Sequence, residues 1–322
     1  MATAIDAFVA ADGREWRAMR TSVRIGVVLP TRECVESGRA RDVVAVAVAA
    51  ESAGADSVWV GDSVFARPRF DPLTLLAGIA TATDRVTLGT GVLLAPLWNP
   101  LLLARAAATV DVLSGGRLVL GVGPGPAYGP ARKEFAALGV PHADRFSRLL
   151  EVMDVCQVVW SRGAVDVAGQ RWSFRNVDVH PKPVSGPPVW WGVSGPRGLR
   201  VAGRRGDGWL PTGRGPDDYA RDLQVVRSVG AGSVEAAVYL TVAVDADAER
   251  AEVRLRATQE GYYRAPWEAI RELEDHCAGT APTVAAHIRA YVDAGAQHVV
   301  LRFAGGDPTA QLEALMVHRE GF

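Results

Sequence analysis

The chain has 322 residues, of which 48% are hydrophobic and 22% are charged, and its net charge at pH 7 is −1. It is long enough to bury a large core, and it has no basic stripe or like-charge block, which argues against nucleic acid or an anionic membrane surface as a partner. No apolar run has the length of a membrane span, and charges interrupt residues 1–22. We therefore expect a cytoplasmic protein with a loosely attached N-terminal arm at residues 1–22.

Strand-like and helix-like segments alternate through the first half of the chain. Short apolar runs that favour strands occupy residues 23–29, 57–60, 86–92 and 117–122. Helical periodicity predicts helices at residues 42–53, 72–83 and 100–113, and Asp71 and Asn99 are the expected N-caps of the last two. Because the strand-like runs are continuously apolar, they indicate parallel strands covered on both faces.

The second half repeats this alternation after an interruption. A long helix is predicted at residues 145–160, and residues 161–188 mix Gly, Pro and short polar–apolar alternation, which we interpret as an insertion. Further strands are predicted at residues 189–193, 208–211, 235–244 and 298–303. Eight strands predict an α/β fold, a closed (β/α)8 TIM barrel with an insertion after the fourth βα unit, in one domain spanning residues 23–322. An open, doubly wound sheet is the alternative.

The residues that follow the predicted strands carry few titratable groups. They include no Ser-His-Asp set, no cluster of metal ligands and no pair of facing carboxylates, which argues against hydrolysis. In a TIM barrel these positions build the catalytic face. A nearly neutral, glycine-lined mouth suits a planar cofactor that brings its own reactivity, with the protein supplying position and electrostatics.

One glycine motif needs a separate interpretation. Gly121, Gly123 and Gly125 resemble a dinucleotide-binding fingerprint, but the third glycine is one residue early, Pro126 follows it, and the motif lies in the fourth unit. We therefore interpret these glycines either as a chain turn at the barrel rim or as a close approach of the backbone to a ligand. The two interpretations are compatible.

Four long segments carry a family resemblance. They are "AGADSVWVGD" (residues 53–62), residues 81–125, "HADRFSRLLEVM" (residues 142–153) and "PPVWWGVSGPRGLRVAGRRGDGW" (residues 187–209). In these segments the chain resembles the bacterial-luciferase-like family of flavin- and deazaflavin-dependent oxidoreductases. The resemblance implies a barrel with an insertion, often a homodimer, that uses the deazaflavin coenzyme F420 or FMN.

The resemblance also implies which residues hold the cofactor. Asp62 and Thr90 would face the ring, and a non-prolyl cis peptide at Gly91-Val92 would support it. Asp62 could instead cap its loop by pairing with Arg67. His142 matches a histidine near the phosphate or ribityl chain, or it is a plain surface residue, and Phe146 replaces the tyrosine expected four residues later.

The strand end at Gly192 and Val193 leads into Ser194 and Gly195 at the start of a predicted helix. Free N–H groups and the helix dipole at this start can receive a phosphate, although an ordinary N-cap is the alternative interpretation. Thr212, at the end of the next strand, would border the phosphate or the substrate. These residues complete the predicted cofactor site.

Two departures from the family pattern bear on the substrate. In sugar-phosphate-oxidising deazaflavin enzymes a histidine follows the aspartate and a glutamate follows the fourth-strand glycines, whereas this chain has Ser63 and Pro126 there. We therefore predict that sugar phosphates are not the substrate. Tyr128 is the nearest polar side chain that could donate a proton, so Asp62 and Tyr128 are the candidate catalytic residues.

The function that these observations favour is hydride transfer with coenzyme F420 to or from a small organic substrate. The arginine-rich, Ala- and Gly-rich composition, typical of a GC-rich bacterial source, and the segment around the third strand favour F420 over FMN. Three alternatives stay open: an FMN-dependent monooxygenase, a non-catalytic flavin-binding protein, and a cofactor-free isomerase or lyase. The last would need Asp62 or Asp245 as its base.

Overall fold

The computed structural model describes residues 23–126, 129, 131–161, 163–230 and 234–322. The predicted N-terminal arm at residues 1–22 and the candidate Tyr128 lie outside the described residues. The strands are β1 Arg24–Val28, β2 Ser57–Val60, β3 Thr87–Thr90, β4 Leu118–Val122, β5 Val165–Ala168, β6 Ser173–Val177, β7 Val189–Trp191, β8 Gly208–Trp209, β9 Glu235–Val244, β10 His276–Gly279 and β11 His298–Phe303. The helices are α1 Thr31–Glu36, α2 Asp42–Ser52, α3 Pro72–Ala80, α4 Pro100–Leu113, α5 Ala131–Ala137, α6 Arg145–Trp160, α7 Gly195–Arg205, α8 Pro216–Val229, α9 Ala248–Tyr263, α10 Trp267–Ile270, α11 Ala281–Asp293 and α12 Pro308–Met316.

Eight parallel strands close into a barrel in the order β1-β2-β3-β4-β7-β8-β9-β11, with β11 pairing back to β1. The closing contact between β8 and β9 pairs Gly208 with Glu235 and Trp209 with Ala236. A doubly wound sheet would leave two open edges at this point. The predicted (β/α)8 barrel is therefore confirmed, and the open-sheet alternative is wrong.

Several helix boundaries follow from local capping signals. Helix α4 begins after Asn99, whose side chain accepts hydrogen bonds from the N–H groups of Leu101 and Leu102. Helix α3 begins after Asp71, which accepts from the N–H of Thr74. In both helices a proline occupies the first turn, where its missing N–H removes no helical bond. The predicted helices at residues 100–113 and 145–160 are confirmed as α4 and α6, and α3 ends at Ala80, three residues earlier than the pattern predicted.

Two tryptophans fill the interior of the barrel. Trp59 from β2 and Trp190 from β7 are fully buried, with ring centroids 5.2 Å apart. Glycines make room for them: a Cβ on Gly89 would lie 2.2 Å from the ring of Trp59, and one on Gly208 would lie 2.5 Å from that of Trp190. Since the interior is packed, a ligand can enter only at an end of the barrel.

The segment predicted as an insertion forms an antiparallel hairpin of β5 and β6. The hairpin is tied to α6, because Glu151 accepts hydrogen bonds from the backbone and the guanidinium of Arg171 at 2.5 and 2.9 Å. The guanidinium of Arg148 lies 4.6 Å from the ring centroid of Trp172. Polar and aromatic side chains of the hairpin therefore serve its attachment to α6.

Three strands were not predicted: β5 and β6 of the insertion, and β10. β10 pairs in parallel with the C-terminal half of β9, from Thr241 to Val244. Its sequence, HCAG, has no apolar run, so periodicity could not reveal it. Of the helices that the structure describes, none combines the length and apolarity needed to cross a bilayer.

Candidate functional site

A cavity of about 340 Å³ opens at the C-terminal ends of the barrel strands. We call it the mouth cavity. Six residues predicted from the sequence line it: Gly91, Val92, Gly192, Val193, Ser194 and Thr212. Strand ends β3, β7 and β8 bring these residues together although they are far apart in sequence. The part of the chain that the structure describes contains no group of three His, Cys, Asp or Glu side chains that could hold a metal ion.

Gly91 and Val92 form one wall of the cavity, and the peptide bond between them is cis, as the family resemblance implied. Glycines on two neighbouring strand ends make room for the Val92 side chain. A Cβ on Gly192 would lie 2.5 Å from Val92 Cγ1, and a Cβ on Gly123 would lie 2.7 Å from Val92 Cγ2. Packing of Val92 between β4 and β7 therefore requires both glycines.

The other two glycines of the fourth-unit motif, Gly121 and Gly125, each have their own structural reason. A Cβ on Gly121 would lie 2.0 Å from the carbonyl oxygen of Thr90, so this glycine lets β3 and β4 approach each other. Gly125 has a φ of +80°, a left-handed conformation that glycine adopts most easily. The motif thus combines close packing of neighbouring strands with a turn at the rim.

Asp62 lies behind this wall and does not line the mouth cavity. Its Oδ2 accepts a hydrogen bond of 2.9 Å from the N–H of Leu94, and the side chain of Trp98 donates a second bond. Burial raises the pKa of Asp62 to about 6 against the lowering effect of these bonds. The alternative pairing of Asp62 with Arg67 is not formed; Arg67 Nη1 donates to the carbonyl of Ala66.

Three other predicted residues also lie outside the cavity lining. Thr90 is completely buried, and its Oγ1 donates a 2.7 Å hydrogen bond to the carbonyl of Gly121, which joins β3 to β4. His142 Nε2 donates to the carbonyl of Pro126 at 2.9 Å and so holds the loop after β4. Gly195 is the exposed first residue of α7 and has a φ of +72°.

The N-terminus of α7 opens toward the mouth cavity at Ser194. Ser194 has an extended backbone, its side chain caps no N–H group, and Pro196 lies in the first turn. The guanidinium of Arg197, in the same turn, lies 4.5 Å from the ring centroid of Phe146. An uncapped helix start with a nearby cation is a suitable site for a phosphate.

The expectation that the mouth of the barrel is nearly neutral is wrong. Seven polar or ionisable residues that the sequence analysis did not name line the cavity: Arg69, Arg214, Tyr239, Tyr262, Tyr263, Glu274 and Arg302. They lie in loops, at the end of α9 or within β9 and β11, whereas the predicted site contained only residues that directly follow strands. A usable signal was Arg302, since an arginine within an otherwise apolar strand is seldom buried without a partner.

Glu274 is a buried carboxylate of the cavity lining. Burial favours a higher pKa for Glu274, but hydrogen bonds from His276 and Gln259 outweigh it, so its pKa is lowered. The side-chain amide of Gln259 donates to the same Oε1 that lies 3.5 Å from His276 Nε2. Glu274 is therefore ionised near neutral pH and already hydrogen-bonded.

Asp245, the second possible base of a cofactor-free enzyme, does not line the cavity either. It is paired with Arg250 and, at 3.3 Å, with Arg254. A side-chain hydrogen bond from Arg250 is the main reason that the pKa of Asp245 is held well below its usual range. A carboxylate held in this way is a weak base, which argues against the isomerase or lyase alternative.

The barrel, the Gly91–Val92 wall and the α7 start can be compared with known proteins. The family model for luciferase-like monooxygenases matches residues 23–298. The chain belongs to this family. Among its luciferase-like relatives, the F420-dependent glucose-6-phosphate dehydrogenase of Kineococcus radiotolerans is 31% identical, with 81% of this chain and 86% of the relative covered. The enzyme of the same name from Amycolatopsis mediterranei is 30% identical, with coverages of 83% and 90%.

Solved structures of luciferase-like proteins share the fold of this chain. An F420-dependent secondary alcohol dehydrogenase, solved with an F420-acetone adduct, superposes with a TM-score of 0.77 at 22% identity, covering 94% of this chain and 98% of that chain. A monooxygenase from Streptomyces bottropensis gives a TM-score of 0.79 at 21% identity, with coverages of 92% and 99%. At these identities the structural likeness supports the barrel fold alone.

Proposed function

We propose that the protein is an F420-dependent oxidoreductase that acts on a small organic substrate at the mouth of the barrel. One observation supports this most: a single cavity is bounded by Gly91 and Val92 and by the uncapped start of α7 at Ser194. The first fits a planar ring and the second fits a phosphate. Two relatives that are 31% and 30% identical and cover 81% and 83% of this chain are named as F420-dependent enzymes.

The residues of the cavity fit the coenzyme in shape and charge. The volume of the mouth cavity, about 340 Å³, lies at the lower end of the range for small-molecule sites. Gly91, Val92 and Gly192 would support the ring, and the backbone N–H groups after Ser194 would hold the phosphate. When bound, the coenzyme supplies the hydride-transfer chemistry that the side chains of the cavity lack. Thr212 and Arg214 would border the phosphate end.

Asp62 acts in this proposal as a positioning residue. Its bonds to Leu94 and Trp98 hold the chain that follows Gly91–Val92, so it supports the wall from behind. Tyr128 stays a proposed proton donor to the substrate, as the sequence analysis suggested.

The test is a binding titration of the purified protein with F420 and with FMN, each oxidised and reduced, followed by the fluorescence or absorbance of the chromophore. We expect F420 to bind at least tenfold more tightly than FMN. Tighter binding of reduced FMN, with oxygen consumption in the presence of a substrate, would instead favour the monooxygenase. Binding of F420 without turnover of any alcohol, aldehyde, ketone or enone in a panel would favour a non-catalytic flavin-binding protein.

Glucose 6-phosphate belongs in the same panel as an expected non-substrate. The Ser63 hydroxyl, which replaces the family histidine, donates a 2.7 Å hydrogen bond to the buried Glu134. It is thereby committed to holding its own loop and cannot take the histidine's place at a sugar. Reduction of F420 by glucose 6-phosphate would contradict this part of the proposal.

We further propose that the protein works in the cytoplasm as a homodimer. Helix α4 exposes the apolar side chains Leu102, Val112 and Leu113, which offer a surface for a second copy. Light scattering at micromolar concentration tests the dimer by measuring its mass. The charged variant Leu113→Glu should shift this mass toward that of one chain.

A further inference from the structure

We infer that the wall of the mouth cavity formed by β1, β2 and β11 binds an organic anion, such as a carboxylate, with Arg69 and Arg302. The inference rests on the proposed function only in assigning this anion to the substrate. The anion site itself depends on the guanidinium groups that face the cavity.

Arg69 is held in the cavity with its charge uncompensated. Its Nη1 donates a 3.1 Å hydrogen bond to Thr31 Oγ1, just beyond β1. The guanidinium lies over Gly61, at the end of β2, where a Cβ would come within 2.7 Å of Nη1. Among the residues that the structure describes, no carboxylate forms an ion pair with Arg69. Gly61 therefore provides the space in which a free guanidinium is presented to a ligand.

Arg302 presents a second guanidinium from β11. Its Nη1 donates to Gln259 Oε1 at 3.2 Å, and its Nη2 lies 3.7 Å from Glu33 on the outer side. The group also lies 4.2 Å from the ring centroid of Tyr262, which itself lines the cavity. These contacts fix the orientation of Arg302 and leave its side chain on the cavity wall.

The surroundings add further positive charge. A third guanidinium, that of Arg214, also lines the cavity, and the guanidinium of Arg67 lies 5.4 Å from the ring centroid of Tyr262. Glu274 is the one carboxylate among the described residues that line the cavity, and it is bonded to Gln259. A ligand with a negative charge would thus meet an excess of cations, and a guanidinium can bind a carboxylate through two parallel hydrogen bonds.

The barrel order separates this site from the proposed phosphate site. In the eight-stranded barrel three strands lie between β1 and β7, and three between β2 and β8, so the two pairs face each other across the mouth. The start of α7 follows β7, whereas Thr31 and Gly61 follow β1 and β2. A coenzyme whose phosphate lies at Ser194 and whose ring lies on Val92 leaves the opposite wall to the substrate.

The experiment measures the affinity of the protein for benzoate and for its neutral analogue benzamide by calorimetry at low salt. Wild type, Arg69→Gln, Arg69→Lys and the control Arg105→Gln on the outer surface of α4 are compared, each with and without F420. The affinity of each variant for F420 is measured separately by fluorescence. Melting temperatures verify that the variants fold.

We expect benzoate to bind at least tenfold more tightly than benzamide, and more weakly as the salt concentration rises. Arg69→Gln should lower the affinity for benzoate at least tenfold, and Arg69→Lys should lower it less. Arg105→Gln should leave it unchanged. Equal affinities for the two probes, no binding of benzoate, or an unchanged benzoate affinity in Arg69→Gln would overturn the inference.

Two results separate this inference from the proposed function. If F420 does not bind but benzoate binds through Arg69, the proposed function fails and the anion site stands. If Arg69→Gln weakens F420 and leaves benzoate unchanged, the arginine serves a carboxylate of the coenzyme, and the assignment to the substrate is wrong.

Discussion

The Asp62 carboxylate accepts a 2.9 Å hydrogen bond from the Leu94 N–H, and this bond joins the end of β2 to the chain that follows the Gly91–Val92 wall. The bond links two segments that both end at the mouth of the barrel but are separated by a helix in sequence. It places a buried acid behind the cavity rather than in it.

The pH dependence of stability should report this burial. The pKa of Asp62 is raised to about 6, mainly by burial, with the carboxylates of Asp71 and Glu134 also raising it. Between pH 3.8, the ordinary pKa of the group, and about pH 6, Asp62 keeps a proton in the folded chain that it has released in the unfolded chain. Stability from this group is therefore present at low pH and lost as pH rises through about 6.

Asp62→Asn should become more stable relative to wild type as pH rises from 4 to 7, by at most about 3 kcal/mol. The difference in free energy of unfolding, measured by urea denaturation across this range, tests the prediction. Asp84→Asn, which removes an exposed carboxylate, is the control. A difference that stays constant or falls with pH would show that Asp62 is not a buried acid.

An acidic residue at the start of α7 should weaken cofactor binding without weakening the fold. In Ser194→Asp the carboxylate would cap free N–H groups and interact favourably with the helix dipole, so stability should stay equal or rise by up to about 1 kcal/mol. A phosphate at the same N–H groups would be repelled, and we expect at least a tenfold loss of F420 affinity. Fluorescence titration and thermal melts measure the two effects.

Thr280→Asp is the matched control for that variant. Thr280 precedes α11, which, like α7, has an uncapped start with a proline in the first turn. It does not line the mouth cavity. Should both substitutions weaken F420 equally, or neither do so, the phosphate would not be bound at α7.

The barrel interior should not tolerate a methyl group at Gly89. The added Cβ would lie 2.2 Å from the ring of Trp59, so the ring or β3 must move. We expect Gly89→Ala to lower the free energy of unfolding by about 1–3 kcal/mol or more. Gly78→Ala on α3, where nothing lies within 4 Å of the new Cβ, should stabilise by about 0.5–1 kcal/mol. Denaturation of both variants in parallel provides the comparison, and equal effects would contradict it.

Glu134 should hold the loop that follows β2. Its Oε1 accepts hydrogen bonds from the Ser63 hydroxyl at 2.7 Å and from the N–H groups of Phe65 and Ala66 at 2.8 Å. Glu134→Ala would leave three donors without this acceptor, at a cost of about 1–3 kcal/mol. Glu313→Ala, at an exposed position of α12, is the control. Faster amide exchange at Phe65 and Ala66 in Glu134→Ala alone would support the assignment, and unchanged exchange would refute it.

Sequence patterns predicted the helices and strands that are specified by neighbouring residues, through capping residues and apolar periodicity. Helix α4 was recognised because Asn99, Pro100 and an apolar periodicity agree, and β4 because it is a continuous apolar run. β10 was missed because its residues carry no such pattern, and its pairing with β9 depends on how the barrel closes.

The sequence by itself determined the order of the eight barrel strands, the family, and the segments Gly91–Val92 and Gly192–Ser194 at the rim, because strand ends in a parallel barrel meet at one face. Only the tertiary structure decided that Asp62 and Thr90 face away from the cavity and that Arg69 and Arg302 face into it. The physical reason is that strand pairing and side-chain packing set the direction of a side chain. Both join residues that are far apart in sequence.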